Sequence, residues 1–397
     1  MGSGMSKRGL ERLDRAMTGF VERGDSAGVV TLVHRRGEEA HFATAGWRDR
    51  DAKVPMTRDT IFRIASMSKP VASVAVLMLL EEGRLRLGDA VERWLPELAN
   101  RKVMRDVGGA LDDVLPSPRS ITVADLLTHQ SGLGYDFTVI GPLVGAIQKS
   151  IGGGPFPALT PDEFMKRLGE LPLFFAPGSR WNYGVSTDVL GVLVARVSGQ
   201  SFPAFLQDRL FGPLGMTDSG FHVPADKIGR LAVSYWWDAK QSKLVVQEQP
   251  VGGRYATAPA FPSGGAGMVS TVDDYLRFAL MLLGNGKTGR DRLLSRKTVE
   301  LMTSNAVPRA VRNLPAVWRD LLTGRGFGLG VSVVDDMGAQ DTLGSVGKYG
   351  WPGAYSTDWF NDPAEQMVGI MMTQMYFDEK REIRPTFENL VYQAIDD

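Results

Sequence analysis

The stretch Phe62-Arg63-Ile64-Ala65-Ser66-Met67-Ser68-Lys69 decides how the rest of the chain is read. A short β-rich run leads into Ser66, after which Val71, Val74, Leu77, Met78 and Leu80 recur at helical spacing until Gly83 ends the pattern. Ser66 and Lys69 therefore stand at a helix start, three residues apart, and residues i and i+3 share a helical face. A hydroxyl and an amine held in that way can pass a proton between them. The helix start adds unpaired N–H groups and a positive dipole end, which favour the negative charge that develops when a carbonyl is attacked. The pair reads as a nucleophile, Ser66, and a base, Lys69.

The spacing by itself is not specific. With this content of Ser and Lys, about one Ser-x-x-Lys match arises by chance. Ser345-Val346-Gly347-Lys348 repeats the spacing, but in a Gly-rich turn where the two side chains share no helical face, so a loop is expected there.

Working outward, Leu10, Leu13, Met17 and Phe20 recur at helical spacing before Gly24 stops them. Residues 28–34 and 41–45 read as two strands of a hairpin, with 35–39 as its charged turn. From 87 to about 260 the pattern is mostly helical, with pieces at 124–129, 161–171 and 187–198. The Gly- and Pro-rich stretch 132–161, around Phe137, is too long for an ordinary connection and is expected to be a substrate-facing flap. Beyond Pro262 the periods change to a helix at 273–283, strands at 328–334, 355–360 and 367–373, and a last helix at 387–395. The expected fold class is α+β, an antiparallel sheet flanked by helices. Residues 1–86 plus 260–397 would form the α/β domain and 87–259 an inserted helical one, with the active site at their interface.

Composition narrows the function. The 397 residues carry 45 basic and 45 acidic side chains, so no net field gathers nucleic acid or anionic lipid, and neither is expected as a partner. The absence of cysteine excludes a thiol nucleophile and thiolate metal sites. The four histidines form no His-Glu-x-x-His pattern, and no metal or other cofactor is expected. His129 reads as a structural residue at a helix end. No Gly-x-Ser-x-Gly elbow occurs either. The opening Met1-Gly2-Ser3-Gly4-Met5 resembles an expression scar, and with no apolar signal core or membrane span after it a cytoplasmic location is expected. Nothing in the sequence sets an oligomeric state.

Several motifs now occur in order. To residues 62–69 are added Leu126-Leu127-Thr128-His129-Gln130-Ser131-Gly132-Leu133, Pro177-Gly178-Ser179-Arg180-Trp181-Asn182-Tyr183, Leu214-Gly215-Met216-Thr217, Gly264-Gly265-Ala266-Gly267-Met268-Val269-Ser270-Thr271 and Trp351-Pro352-Gly353. Together they resemble the serine β-lactamase-like superfamily over nearly the whole chain, and within it the family VIII carboxylesterases. The resemblance implies that Tyr183 shares the proton of Ser66 and later returns it to the leaving group. It also implies an oxyanion hole from the backbone N–H groups of Ser66 and Ala354, and a substrate-binding surface that includes Trp351, Gly353 and Val185, to which the flap reading adds Phe137.

Two departures bear on substrate. Class C β-lactamases have Tyr-x-Asn where this chain has Tyr183-Gly184-Val185, and Lys-Thr-Gly or His-Thr-Gly where it has Trp351-Pro352-Gly353. An apolar indole wall suits a neutral ester better than an anionic lactam. The triplet Lys287-Thr288-Gly289 spells the lactamase motif but follows a helix end, where a plain turn is expected. The expected activity is hydrolysis of small or medium acyl esters through an acyl-enzyme, with a small-molecule ester as the partner. The alternatives are a β-lactamase or D-amino peptidase, an acyltransferase with the same Ser-Lys-Tyr chemistry, and a penicillin-binding-like sensor that does not turn over.

Overall fold

The computed structural model describes residues 2–154, 156–289, 291–312, 322–377 and 382–397. Helix α1 (Lys7–Glu22) begins where the Ser6 hydroxyl accepts the Gly9 N–H at 3.1 Å, and it buries Leu13, Met17 and Phe20 along one stripe. It leads into a hairpin of β1 (Gly28–Arg35) and β2 (Glu38–Asp49). The turn is tighter than the sequence predicts. Only Arg36 and Gly37 form it, at φ 53° and 84°, and the exposed Glu38 and Glu39 join the ladder opposite Arg35 and His34.

After β3 (Val54–Pro55) comes α2 (Ser68–Glu81), buried from Ser68 to Leu79. The middle of the chain holds α3 (Pro142–Ile151) and α4 (Ser186–Ser198), with further helices Val123–Leu127, Pro161–Glu170 and Phe202–Leu206. Two expectations need correcting here. The 132–161 stretch is not all loop, because α3 lies within it: Gly141 ends the preceding turn, Pro142 opens the helix, and Leu143, Ile147 and Ile151 pack inward. The middle segment also carries two hairpins, Lys102–Met104 with Val114–Pro116 and Ser234–Asp238 with Lys243–Glu248. The Trp236-Trp237 and Val245-Val246 pairs are β-formers flanking a polar turn, a signal that the helical reading passed over.

Helix α5 (Val272–Leu283) starts at Thr271, whose hydroxyl accepts the Asp274 N–H at 3.2 Å. Five strands of the main sheet follow: β4 (Arg325–Phe327), β5 (Ser332–Val334), β6 (Tyr349–Gly350), β7 (Asp358–Asp362) and β8 (Met367–Met372), and then α6 (Ile383–Gln393). The run 328–331, expected as strand, is a turn through Gly330 at φ 90°. A side chain at Gly330 would overlap the Ser73 hydroxyl on α2, so the chain comes too close to that helix to continue as strand.

The eight strands of the main sheet are all antiparallel, in the order β4-β5-β6-β7-β8-β1-β2-β3. The two ends of the chain meet at the β8–β1 seam, where Val30 faces Met372 and Leu32 faces Ile370. Alternating side chains build two cores. Val29, Val33, Phe360, Met367 and Met371 pack with α1 and α6, while Val30, Leu32, Val368, Ile370 and Met372 join the larger cluster that contains α2 and α5. No single helix among the described residues is long and apolar enough to cross a membrane.

Candidate active site

Ser66 lies in the single 3-10 turn Ala65–Met67 that runs straight into α2. Ala65 sits at φ 42°, a left-handed conformation that costs an alanine about 1–2 kcal/mol, so the turn is held by its surroundings. Those restraints are visible. Residues Phe62–Arg63 pair with Val269–Ser270, the Ser68 hydroxyl accepts the Met268 N–H at 3.1 Å, and the Tyr275 hydroxyl donates to the Met67 carbonyl at 2.9 Å. Ser66 is thus presented by a strained turn clamped on three sides.

Lys69, the second residue of α2, is buried. Its Nζ donates to the Gly265 carbonyl at 2.7 Å, and lies 3.3 Å from Ser66 Oγ and 3.5 Å from the Tyr135 hydroxyl. The Tyr183 hydroxyl is closer to Ser66 Oγ, at 2.6 Å, and the Tyr183 ring lies 4.4 Å below the Lys69 ammonium. Trp351 Nε1 donates to the Tyr183 oxygen at 3.3 Å, and the two rings are 5.4 Å apart. The structure therefore brings Ser66, Lys69, Tyr183 and Trp351 to one point.

Two further residues join them. Asp188, in the first turn of α4, is fully buried and accepts from the Tyr135 hydroxyl at 3.0 Å, the Gly265 N–H at 3.1 Å and the Ser263 hydroxyl. Burial pushes its carboxyl above the usual range, and the Lys69 charge, with these donors, pulls against that rise. Burial, reinforced by Asp188, raises the Tyr135 phenol well above its ordinary value, so Tyr135 stays protonated. Neither residue was singled out from the sequence. Asp188 left a signal all the same: it is the lone acid of its helix, directly ahead of the apolar run 189–195, and a buried charge needs partners.

His129 is structural, as its sequence position suggests. Its Nδ1 accepts the Gly184 N–H at 3.4 Å, its ring packs 5.0 Å from Tyr183, and burial followed by the Lys69 charge drops its pKa well below the ordinary value. The ring is a neutral support for Tyr183.

The Trp351-Pro352-Gly353 segment sits differently from the expectation. It follows β6, and residues 354–356 form a turn before β7 starts at Asp358; they are not strand. The Gly353 N–H closes that turn on the Thr357 carbonyl at 2.8 Å, and Ser356 adopts φ 56°. A side chain at Gly353 would overlap the Ile64 carbonyl oxygen, so glycine is what lets this turn press against the one that bears Ser66. Ala354 accepts the Phe377 N–H at 2.8 Å, and its own N–H has no partner among the described residues. Val185 is buried to 3% at the start of α4 and offers a ligand little surface, whereas Phe137 is 43% exposed.

Known proteins resemble this chain over most of its length. A beta-lactamase family model matches residues 13–393. The chain belongs to the beta-lactamase family. It is 41% identical over 352 residues to Protein Rv1367c of Mycobacterium tuberculosis, covering 88% of this chain and 86% of that one. Its identity to Esterase EstB of Burkholderia gladioli is 34% over 384 residues, covering 92% and 91%. The solved structure of EstCE1, described as a hydrolase with promiscuous acyltransferase activity, superposes with a TM-score of 0.82 at 28% identity over 97% of this chain and 99% of that one. Within the beta-lactamase family the protein is a serine hydrolase of the family VIII, carboxylesterase type.

Both decoys lie away from the Ser66 site. Lys348 is buried in an ion pair with Glu388 on α6, 2.6 Å between charged atoms, and residues 342–348 are loop. Lys287–Thr288 is not the plain turn expected but a two-residue strand paired with Asp291–Arg292. That small hairpin closes the end of α5 and is not part of the eight-stranded sheet.

Proposed function

We propose that this beta-lactamase family member hydrolyses small or medium acyl esters through a covalent acyl-enzyme on Ser66. The observation that carries the reading is the 2.6 Å contact of the Tyr183 hydroxyl with Ser66 Oγ, beside Lys69 and beneath the indole of Trp351. Ser66 Oγ attacks the ester carbonyl while its proton passes to the Tyr183–Lys69 pair, which enters the step with one of its two sites, the phenol oxygen or the amine, unprotonated. The carbonyl oxygen, now negative, is held by the N–H groups of Ser66 and Ala354. The bond to the alcohol breaks, and Tyr183 returns the proton to the departing oxygen. Water then attacks the acyl carbon, its proton follows the same route, and Ser66 is restored as the acid leaves. The site would lie between the sheet portion, 1–86 plus 260–397, and the middle segment, 87–259.

Trp351 supports ester over lactam. At the position where a Lys or His would meet a carboxylate, this chain offers an indole, and Val185 supplies no amide. Substitution Ser66→Ala tests the nucleophile: activity on p-nitrophenyl butyrate falls to background, and full retention would overturn the assignment. Comparing catalytic efficiency on a butyrate ester and on nitrocefin tests the class, and a preference for nitrocefin would favour the lactamase. A second reading, transfer of the acyl group to an alcohol in place of water, is favoured by the resemblance to EstCE1. Product analysis with an added alcohol distinguishes the two.

A further inference from the structure

A single hydroxyl, that of Tyr135, separates Asp188 from Lys69. The hydrogen bonds around Asp188 all run one way. The Gly265 N–H can only donate to the carboxylate, at 3.1 Å. The Ser263 hydroxyl already accepts the Ala266 N–H at 3.0 Å, so its own hydrogen goes to Asp188. The Tyr135 hydroxyl donates to the other carboxylate oxygen at 3.0 Å. Three donors converging on two oxygens are the surroundings of an ionised carboxylate. Burial opposes that charge, and the Lys69 charge and the donors counter it.

Because the Tyr135 proton is committed to Asp188, the Tyr135 oxygen faces Lys69 Nζ as an acceptor, at 3.5 Å. Gly265 meets both partners in the same sense: its N–H goes to Asp188, and its carbonyl accepts from Nζ at 2.7 Å. The Tyr183 ring presents its π face to Nζ at 4.4 Å. His129, the other titratable group that feels the Lys69 charge, is neutral. Among these neighbours only the Ser66 hydroxyl could give Lys69 a hydrogen, and it lies 3.3 Å away, against 2.6 Å to the Tyr183 oxygen. Trp351 Nε1, which can only donate, also points at that oxygen, at 3.3 Å. One side of Ser66 thus collects acceptors around a cation, and the other collects donors around an oxygen.

We infer that Asp188 is a positioning residue: by claiming the Tyr135 proton it turns the Tyr135 oxygen toward Lys69, holds that side chain as an ammonium, and leaves the Tyr183 oxygen to receive the Ser66 proton. The inference rests on the acyl-enzyme reading above and names which site of the pair is unprotonated when the step begins. As the bond from Ser66 Oγ to the acyl carbon forms, the Oγ proton crosses the 2.6 Å to the Tyr183 phenolate. When the bond to the alcohol breaks, the same proton passes to the departing alkoxide and the phenolate is restored. Lys69 keeps its proton throughout and stabilises the phenolate by its charge.

Asp188→Asn tests the inference, because the amide has the size of the carboxylate without its charge and offers Tyr135 an N–H. Tyr135 then turns its own hydrogen toward Lys69, which favours the neutral amine. Removing the anion also weakens the hold on the proton that must leave the pair. The acid limb of the kcat/KM profile on p-nitrophenyl butyrate is therefore expected to move to lower pH by at least about one unit. The midpoint of a limb does not depend on how much of a preparation is folded, and Asp188→Ser, a smaller neutral replacement, is expected to move it the same way. At the pH of maximal activity, the ultraviolet difference between the unaltered enzyme and Tyr183→Phe should contain a tyrosinate band, and Asp188→Asn should lack it. An acid limb that stays in place in both variants while activity falls would make Asp188 purely structural and overturn its role, as would a move to higher pH. Absence of the tyrosinate band from the unaltered enzyme overturns Tyr183 as the group that takes the proton. Retained turnover in Ser66→Ala would instead refute the acyl-enzyme reading, a result separate from either.

Discussion

Replacing Tyr183 by Phe isolates a single oxygen. The ring stays, with its packing against His129 at 5.0 Å and Trp351 at 5.4 Å and the Lys69 ammonium 4.4 Å away, so substrate affinity should hold and KM should move by less than about threefold. What is lost is the O–H at 2.6 Å from Ser66 Oγ and the acceptor for Trp351 Nε1 at 3.3 Å. The second loss leaves a buried N–H unpaired and costs about 1–3 kcal/mol of stability. The first removes a proton carrier, and a positioned acid or base contributes about 10²–10⁴ in rate. An alkyl ester requires two transfers, one from Ser66 and one to a strongly basic alkoxide. A p-nitrophenolate departs without a proton. The expected loss in kcat is therefore about 10³–10⁴ on ethyl butyrate, or 4–5.5 kcal/mol of barrier, and at least tenfold less on p-nitrophenyl butyrate. Titrimetric assay of the first ester and chromogenic assay of the second measure both. Equal losses on the two leaving groups, or a rise in KM with kcat untouched, would refute the role of Tyr183 as the acid.

Gly353→Ala tests the closeness of the two turns. The added carbon would overlap the Ile64 carbonyl, a backbone atom that cannot rotate aside, so the turn bearing Ala354 must move. A misplaced oxyanion donor costs about 10²–10³ in kcat, and an unchanged kcat on a butyrate ester would remove Ala354 from the hole. Asp358, under α6, predicts a pH effect on stability. Its Oδ2 is buried without a hydrogen-bond partner among the described residues, and burial followed by the charge of Glu388 pushes its pKa to about 7, against Arg384, Arg325 and Lys348. Because this pKa lies above the ordinary 3.8, the folded state holds the extra proton between about pH 4 and 7, and stability falls as pH rises through that window. Asp358→Asn should stabilise the protein by about 2–4 kcal/mol at pH 8 and by little at pH 4. Urea midpoints at the two pH values check it, and an equal effect at both would show that the carboxyl is already ionised throughout.

What could be read in the sequence divides by the range of the interaction. Helices α1, α2 and α5 and the β1–β2 hairpin announce themselves because their apolar residues recur over short spans bounded by glycine or charge, and Ser66 and Lys69 are legible as a pair because three positions on a helix make them neighbours. Tyr183 and Trp351 touch across 168 positions, and Tyr183 meets Ser66 across 117. No local pattern encodes such contacts, so both were reached only through the order of the motifs around them. Tyr135 and Asp188 lie outside those motifs and escaped, yet they complete the chain of partners around Lys69. Asp188 marks the limit most clearly. Its oddity, one acid directly ahead of an apolar run, is visible in the sequence, but only the fold shows that its three donors come from Tyr135, Ser263 and Gly265. The lysine decoys make the complementary point. Lys348 reproduces the spacing of Lys69 and is as deeply buried, but its partner is Glu388 on the far face of the sheet. Spacing nominates a catalytic lysine, and what decides between the two is which side of the sheet each one faces.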